Sequence, residues 1–323
     1  MIRMFRAAVV AALTLAMVPL AALAQAWPKS TINVVVPLAA GDAGDITARA
    51  MSEELARELG VPVVVTNKPG AGGALGVQAV IAAKNDGYTL LFTQNSPLTI
   101  RRVLEPSAAA YDPLRELTPL GITTRTPSVL VVRKEARFNT FQELVADARK
   151  NPRRVTIGVP GSGSAGDLSV QVINGQAGIE LTSVPYKGAA PAVTDLLGGQ
   201  VDGVILALGA VSAHLKSGRF KALAISQPFP ELPQVPTLTK LGYRQDLLGV
   251  WFAWMMPAGT PPEVAQALAP ALQKAARDPA VAQRLLPLGI AQDWVPGKQI
   301  DAVITEEFAM VTELTRHMHH RKS

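Results

Sequence analysis

Three glycine-rich segments are the parts of this sequence best suited to hold a ligand. They are Pro37–Asp45, Gly158–Gly166 and Asn67–Gly76, and each follows a strand-like run and leads into a helix-like one. Small residues let the backbone approach a ligand closely, and the unpaired N–H groups at a helix N-terminus favour an anion. The alternative interpretation is an ordinary turn with a helix cap, because glycine and capping residues are typical of both.

The second segment also matches a dinucleotide-binding fingerprint. Gly161, Gly163 and Gly166 have the spacing G-x-G-x-x-G, and Glu180 stands close to where an acid would bind the ribose. One alternative function is therefore an exported α/β oxidoreductase that uses the Gly161 loop. Because an exported protein meets little nicotinamide cofactor, we favour a different ligand and expect no cofactor.

Residues that could catalyse a reaction or bind a metal are few. The sequence has no cysteine, no G-x-S-x-G and no H-E-x-x-H, so it lacks these nucleophile and zinc patterns. His214 has no base-like neighbour in sequence, and we interpret it as a packing or surface residue. We interpret His317, His319 and His320 as a solvated tail rather than a metal site. We therefore expect a binding protein and not an enzyme.

The elements around these segments alternate between strand and helix. Ile32–Pro37 is predicted as a strand and Gly44–Leu59 as the helix that follows it. Thr140–Lys150 is predicted as a helix that begins with a capping box of Thr140 and Glu143. Such alternation predicts an α/β protein with two lobes, each a doubly wound and mostly parallel sheet. Ligands of such sheets bind outside the carboxyl ends of the strands.

The N-terminal residues 1–26 have the pattern of a secretory signal peptide. Arg3 and Arg6 precede the apolar run Ala7–Leu23, and A-x-A cleavage sites follow. An uncleaved membrane anchor is the alternative. Since no cysteine is available for a lipid anchor, we expect a protein that diffuses freely in the periplasm. The net charge of +6 is scattered along the chain, and we expect no nucleic-acid partner.

Six motifs follow one another along the chain in a recognisable order. They are Asn67–Gly73, Asp86–Leu90, Val184–Pro191, Asp195–Asp202, Leu232–Thr237 and Pro257–Pro261. From Trp27 almost to the C-terminus, the chain resembles the Bug-type extracytoplasmic solute receptors of tripartite tricarboxylate transporters. The resemblance implies a two-lobed periplasmic-binding-protein fold, of type II, that closes around a small carboxylate.

The resemblance also implies the site and the partners. One ligand carboxylate would be held by two loops, and an aspartate at the end of its strand would face the cleft. Carried over by position, the ligand-binding residues are Leu38, Ala39, Ala40, Gly41, Asp42, Asp45, Gly161, Ser162, Gly163, Ser164 and Asp202. The implied partners are a small organic acid or zwitterionic metabolite and the membrane permease subunits of a tripartite tricarboxylate-type transporter. We expect a monomer.

Two aspartates depart from the family pattern. Asp42 stands where the family usually has a second glycine, and Asp167 stands near a position where it often has a histidine. Carboxylates at the rim of an anion site would repel a ligand with several negative charges. Our hypothesis is a ligand with one carboxylate and a cationic or hydrogen-bond-donating end.

The predicted domain organisation places both lobes after the signal peptide. Residues 27–126 and 248–323 would form the first, discontinuous lobe, and residues 127–247 the second. The chain would cross between them near Thr124–Val129 and Leu247–Trp251. A further alternative is a protein that presents its ligand to a membrane sensor kinase, because a permease and a sensor would both recognise closed lobes.

Overall fold

The computed structural model describes residues 27–320, and the side chains of residues 27–316. The predicted signal peptide lies outside the described residues. The strands are β1 (Ile32–Val36), β2 (Val63–Asn67), β3 (Thr89–Gln94), β4 (Leu117–Thr126), β5 (Ser128–Arg133), β6 (Thr156–Val159), β7 (Thr182–Pro185), β8 (Gly203–Ala207), β9 (Phe220–Ile225), β10 (Val250–Pro257) and β11 (Ala291–Pro296).

The helices lie between and after these strands. They are α1 (Ala43–Leu59), α2 (Ala74–Ile81), α3 (Asn95–Leu98), α4 (Ile100–Leu104), α5 (Pro113–Glu116), α6 (Phe141–Lys150), α7 (Ala165–Ala177), α8 (Ala189–Gly198), α9 (Leu208–Lys216), α10 (Pro262–Ala275), α11 (Pro279–Leu285) and α12 (Gly297–His320). Short 3-10 turns occupy Ala71–Gly73, Thr239–Leu241 and Leu286–Leu288.

The strands form two sheets, which confirms the predicted two-lobed α/β fold. The first sheet has the order β11-β4-β10-β3-β1-β2, and the second has the order β7-β6-β8-β5-β9. The chain passes from the first sheet to the second at Pro127, between β4 and β5, and returns before Val250.

The sheets are mixed, so the prediction of mostly parallel sheets needs correction. β1 is parallel to β2 and β3, and β6 is parallel to β7 and β8. In contrast, β10 is antiparallel to β3 and β4, β11 to β4, and β5 to β8 and β9. The physical reason is the crossing of the chain. β5 and β10 enter their sheets from the side between the lobes, whereas the strands beside them end there.

Both faces of the first sheet are buried. Val34 and Trp254 belong to the core on one face, whereas Val35 and Met255 belong to the core on the other. Because successive side chains of a strand point to opposite faces, a strand covered on both sides consists of continuous apolar residues. Trp254 is fully buried and its Nε1 donates to Thr123 Oγ1 at 3.1 Å, so this tryptophan is a core residue.

Caps fix the ends of the predicted helices. α1 ends at Gly60, which has φ 68° and whose N–H bonds the carbonyl of Ala56. α6 begins after Thr140, whose hydroxyl accepts the N–H of Glu143 at 3.1 Å. The carboxylate of Glu143 accepts the N–H of Asn139 at 2.6 Å, one residue before the partner of a standard capping box.

The C-terminal helix α12 connects the two cores. Ile300 and Ile304 belong to the core of the first lobe, whereas Val311 belongs to that of the second. Between them, Glu307 accepts three hydrogen bonds from the first lobe. Its donors are Asn95 Nδ2 at 2.8 Å, Thr99 Oγ1 at 2.7 Å and Trp251 Nε1 at 2.6 Å. Within residues 27–320, no helix combines the length and apolarity needed to span a bilayer.

Candidate functional site

A cavity of about 630 Å³ lies between the lobes. It is lined at the carboxyl ends of strands from both sheets, by Pro37 and Leu38 after β1, by Asn95 after β3, by Gly161 after β6 and by Ala207 at the end of β8. This volume falls within the range of small-molecule sites. The carboxyl edge of the parallel strands is also where an α/β sheet places its ligands.

Four of the six predicted ligand-binding residues in the first loop line the cavity. Leu38, Ala39, Gly41 and Asp42 line the cavity, whereas Ala40 and Asp45 are outside its lining. Asp42 begins α1 as its N-cap, because its Oδ1 accepts the N–H of Gly44 at 3.0 Å. Burial raises the pKa of Asp42 above its ordinary value, although the Gly44 N–H opposes this and the nearby Asp45 adds to it.

Asp45 lies outside the cavity lining and holds the first loop in place through hydrogen bonds. It is only 3% exposed, and its Oδ2 accepts the N–H of Gly41 at 2.9 Å. Burial opposes its ionisation, but hydrogen bonds from Arg49, the Gly41 N–H and Asn67 hold the pKa of Asp45 below its ordinary value. The prediction that Asp45 contacts the ligand is therefore not supported by its placement.

Asn67 connects the third glycine-rich segment to the first loop. Its Nδ2 donates to the carbonyl of Leu38 at 3.0 Å and to Asp45 Oδ1 at 2.9 Å. Its Oδ1 accepts from Arg49 Nη2 at 3.0 Å. This asparagine therefore uses both ends of its amide to hold the loop after β1, a positioning role that sequence reasoning did not assign to it.

Two of the four predicted ligand-binding residues in the second loop line the cavity. Gly161 and Ser164 line it, whereas Ser162 and Gly163 do not. Ser164 is the N-cap of α7, and its Oγ accepts the N–H of Asp167 at 3.2 Å. No described residue accepts the Ser164 hydroxyl hydrogen. This hydroxyl and the N-terminus of α7 together favour an anionic group in the cavity.

Asp167 does not belong to the cavity wall, which corrects the expectation of a second rim carboxylate. Its Oδ2 accepts the N–H of Gly163 at 2.8 Å and its Oδ1 accepts from Ser183 Oγ at 2.6 Å. Both oxygens thus have donors within the lobe. The reason is helix capping, because the third residue of a helix can turn its carboxylate back towards the residues that precede it.

The two loops have the same local structure and nearly the same sequence. Gly41–Asp45 reads Gly-Asp-Ala-Gly-Asp and Gly163–Asp167 reads Gly-Ser-Ala-Gly-Asp. In both, the leading glycine has positive φ, 83° and 66°, and donates its N–H to the final aspartate. The two copies of this short repeat are more than 100 residues apart, so no fixed repeat period marks them in the sequence. They differ in side chain only at the helix cap.

Asp202 lies away from the cavity, contrary to the prediction that it faces the cleft. It precedes β8, whereas the cavity lies at the other end of that strand. Its Oδ1 accepts from Arg137 Nη1 at 2.6 Å and its Oδ2 accepts the N–H of Thr156 at 2.9 Å. Parallel strands present their carboxyl ends to the cleft, so a residue before the strand lies at the opposite edge.

Glu180, the proposed ribose-binding acid, is likewise misplaced for that role. It precedes β7 and pairs with Arg153 Nε at 2.7 Å, outside the cavity lining. The glycine spacing at Gly161–Gly166 is therefore not accompanied by the acid that a dinucleotide site requires. Among the described residues, no group of three His, Cys, Asp or Glu side chains could hold a metal ion.

Arg101 is the cavity residue that sequence reasoning missed. It stands on α4 and lines the cavity near Gly72 of the third glycine-rich segment. A Cβ added to Gly72 would collide with the Arg101 guanidinium, so this glycine leaves the space that the arginine occupies. No motif in the sequence marks this arginine, because its position depends on how α3 and α4 fold over the strand ends.

Apolar side chains form the body of the cavity. They include Leu38, Ile46, Leu206, Val250, Phe252, Leu288 and Ile290. Such a wall favours the carbon skeleton of a ligand, while the few polar groups at the loops fix its orientation. The arrangement can therefore bind a small organic molecule with at least one anionic group.

Comparison with known proteins gives matches over nearly the whole described chain. The profile of the family described as "Tripartite tricarboxylate transporter family receptor" matches residues 47–318. Protein BugT of Bordetella pertussis is 37% identical over 244 residues, which are 75% of this chain and 74% of that protein.

Two similar solved structures carry a ligand in their descriptions. "R. palustris Rpa4515 with adipate" has a TM-score of 0.79 and 28% identity, and the match covers 90% of this chain and 97% of that one. "MatC (Rpa3494) from Rhodopseudomonas palustris with bound malate" has a TM-score of 0.75 and 28% identity, over 89% of this chain and 99% of that one.

Proposed function

Because the chain belongs to the tripartite tricarboxylate transporter receptor family, we propose that it captures a small carboxylate-containing metabolite in the cleft and delivers it to a permease. Membership confirms the resemblance to Bug-type receptors and identifies the chain as a periplasmic solute-binding receptor. The proposal extends this to a protein that is exported with a cleaved signal peptide, acts as a monomer and is not an enzyme.

The observation that carries the proposal is the cavity between the lobes. It is lined by Asp42 and Gly41 on one side and by Gly161 and Ser164 on the other. A ligand carboxylate at the N-terminus of α7 would accept hydrogen bonds from the Ser164 hydroxyl and from the N–H groups of the first turn. The adipate and malate in the names of similar structures support a carboxylate ligand.

The proposed mechanism is ligand-favoured closure. A ligand held between the loops of both lobes binds the closed arrangement more tightly than the open one, so it shifts the population towards closure by that difference in affinity. The crossings at Pro127 and before Val250 are short, which suits rotation about a hinge. The closed form would be what a permease recognises.

A thermal-shift screen tests the proposal. The mature protein should be stabilised by at least one member of a panel of carboxylates, amino acids and pyridine carboxylates, and not by nicotinamide cofactors. Small-angle scattering should then show a more compact particle with that ligand. Stabilisation by a nicotinamide cofactor, or by no carboxylate, would contradict the proposal.

A pair of serine variants provides the matched control. Ser164→Gly should weaken binding of the ligand found in the screen by about tenfold, since it removes a hydroxyl from the cavity while glycine still caps a helix. Ser162→Gly changes the same loop outside the lining and should leave affinity within about twofold of the original. Equal effects of the two variants would place the ligand elsewhere.

A further inference from the structure

The cavity between the lobes contains one acidic and one basic side chain among its described lining residues. They are Asp42 and Arg101, and both belong to the first lobe. No described ion pair joins them, because Arg101 pairs with Glu105, outside the lining, and Asp42 pairs with no base. Two opposite charges that do not neutralise each other are complementary to a ligand that carries one of each.

Arg101 is placed to receive an anionic group. Its Nη1 pairs with Glu105, but its Nε is buried without a hydrogen-bond partner among the described residues. A buried donor without a partner is costly, and a carboxylate that binds the fork of the guanidinium would reduce that cost. Its side chain is 22% exposed, so the pair with a ligand would be largely shielded from water.

Arg101 also lies beside the second loop. Leu104, three residues later on α4, is in contact with Gly163, because a Cβ added to that glycine would collide with the leucine side chain. Residues three apart are neighbours on a helix surface. Arg101 of the first lobe and the Ser164 cap of the second lobe line the same cavity, so both are available as donors to an anionic group bound there.

Asp42 makes the first loop favour a cationic group, whereas Arg101 and the Ser164 loop favour an anionic one. The matching position in the second loop is the neutral Ser164, so the acid is the one difference in side chain between two otherwise equivalent loops. Arg49, the nearest described base on α1, forms an ion pair with Asp45 and not with Asp42. Desolvation raises the pKa of Asp42, and because this carboxylate has no cationic partner among the described residues, a protonated amine in the cavity would supply one.

We infer that the cavity selects an amino carboxylate, with the carboxylate between Arg101 and the Ser164 loop and the protonated amine at Asp42. This inference rests on the proposed function and narrows its ligand class. Because β1 lies between β2 and β3 in the sheet, the loops that carry Asp42 and Arg101 adjoin each other at its edge. A single small molecule can therefore reach both.

The test compares ligands that differ only in charge. Each amino carboxylate is matched with the monocarboxylate and dicarboxylate of the same carbon number, for example norvaline with pentanoate and glutarate. Calorimetry on the mature protein should rank the amino carboxylate first. Asp42→Ser, which copies the second loop, should reduce its advantage over the dicarboxylate by at least about tenfold.

The arginine is tested with a neighbouring control. Arg101→Gln should weaken every carboxylate by at least about tenfold, and Arg101→Lys should recover part of the loss. Arg102→Gln should not weaken binding, because Arg102 lies over the ring of Phe308 and donates to the carbonyl of Tyr111 outside the cavity. Thermal unfolding without ligand shows whether each variant folds. If Arg101→Gln does not fold, Arg101→Lys still tests the role of the guanidinium.

The outcomes separate this inference from the receptor function. If carboxylates bind but the dicarboxylate ranks first, or if Asp42→Ser leaves the ranking unchanged, the charge selection is wrong and the receptor function stands. The same holds if Arg101→Gln and Arg102→Gln bind alike. If the unaltered protein binds no carboxylate of the panel, both the inference and the proposed function are wrong.

Discussion

Asp45 accepts a hydrogen bond from the backbone N–H of Gly41 at 2.9 Å. The third residue of α1 thereby closes the loop in front of its own helix and fixes the backbone that faces the cavity. Asp167 repeats this relationship with Gly163 at 2.8 Å in the other lobe. Each of the two loops is therefore shaped by an aspartate that lies outside the cavity lining.

Asp45→Asn should destabilise the protein by about 2 to 3 kcal/mol, because an amide nitrogen would face donors that now meet a buried carboxylate. Urea unfolding measures the loss. Asp42→Ser in the same loop is the matched control, and since serine also caps a helix it should cost less than about 0.5 kcal/mol. Equal losses would show that the Asp45 network does not stabilise the loop.

Gly209→Ala should weaken ligand binding without destabilising the ligand-free protein. A Cβ at this position of α9 would collide with the backbone carbonyl of Leu288, which belongs to the opposite side of the cleft. We expect this approach only in the closed arrangement, so the variant should penalise closure and lower affinity by at least about tenfold.

Calorimetry and thermal unfolding check this prediction together. Gly175→Ala is the control, because an added Cβ there has no atom within 4 Å and alanine is a better helix former. That variant should bind like the original protein. Unchanged affinity in Gly209→Ala would mean that these residues do not approach each other in the ligand-bound form.

Glu307→Gln should change how stability depends on pH. Burial raises the pKa of Glu307 above its ordinary 4.5, despite hydrogen bonds from Thr99, Trp251 and Asn95. An acid whose folded pKa is raised binds its proton more tightly in the folded state. Its contribution to stability is fully present below the unfolded pKa and is lost as pH rises through the folded pKa.

The measurement is the free energy of unfolding of both proteins from pH 4 to pH 7. The advantage of the original protein over Glu307→Gln should fall with rising pH above about 4.5, by at most about 1.4 kcal/mol per pH unit for one proton. The advantage should be largest and independent of pH at the acidic end, where the glutamic acid is neutral in both the folded and the unfolded state. A pH-independent difference would refute the assignment.

Asp202→Asn should leave ligand binding unchanged and lower stability by about 1 kcal/mol, because it disturbs the bonds with Arg137 and Thr156. Calorimetry with the ligand found in the screen measures the first effect. Ser164→Gly, measured alongside, shows the size of change expected for a residue that lines the cavity. A comparable loss of affinity in Asp202→Asn would show that this aspartate does contribute to ligand binding.

The fold was predictable because the residues that end a strand and begin the next helix can be identified in the sequence. The buried strand Ile32–Val36 and the capped helix after it are local patterns, and alternation of such patterns predicts two α/β lobes. The direction of β5 and β10 was not predictable, because it depends on where the chain crosses between the lobes.

The sequence indicates the loops around the cavity better than its side chains. Gly41 and Gly161 precede helices and line the cavity, and their part in ligand binding stays a prediction. A sequence does not show whether the carboxylate in the first turn of a helix faces a ligand or its own loop, which is why the sequence places Asp45 and Asp167 at the cleft, whereas both bond the loop before them. Arg101 could not be found, since nothing local relates α4 to the strands it covers.

α12 has its first turns in one core and Val311 in the other. We expect opening of the cleft to separate this helix from one of the two cores, and the apolar area exposed there would oppose opening. Ligand affinity is thus thermodynamically linked to packing at the far end of the chain. A substitution at Val311 that loosens this packing would favour the open population and raise the dissociation constant without altering a single residue of the cavity.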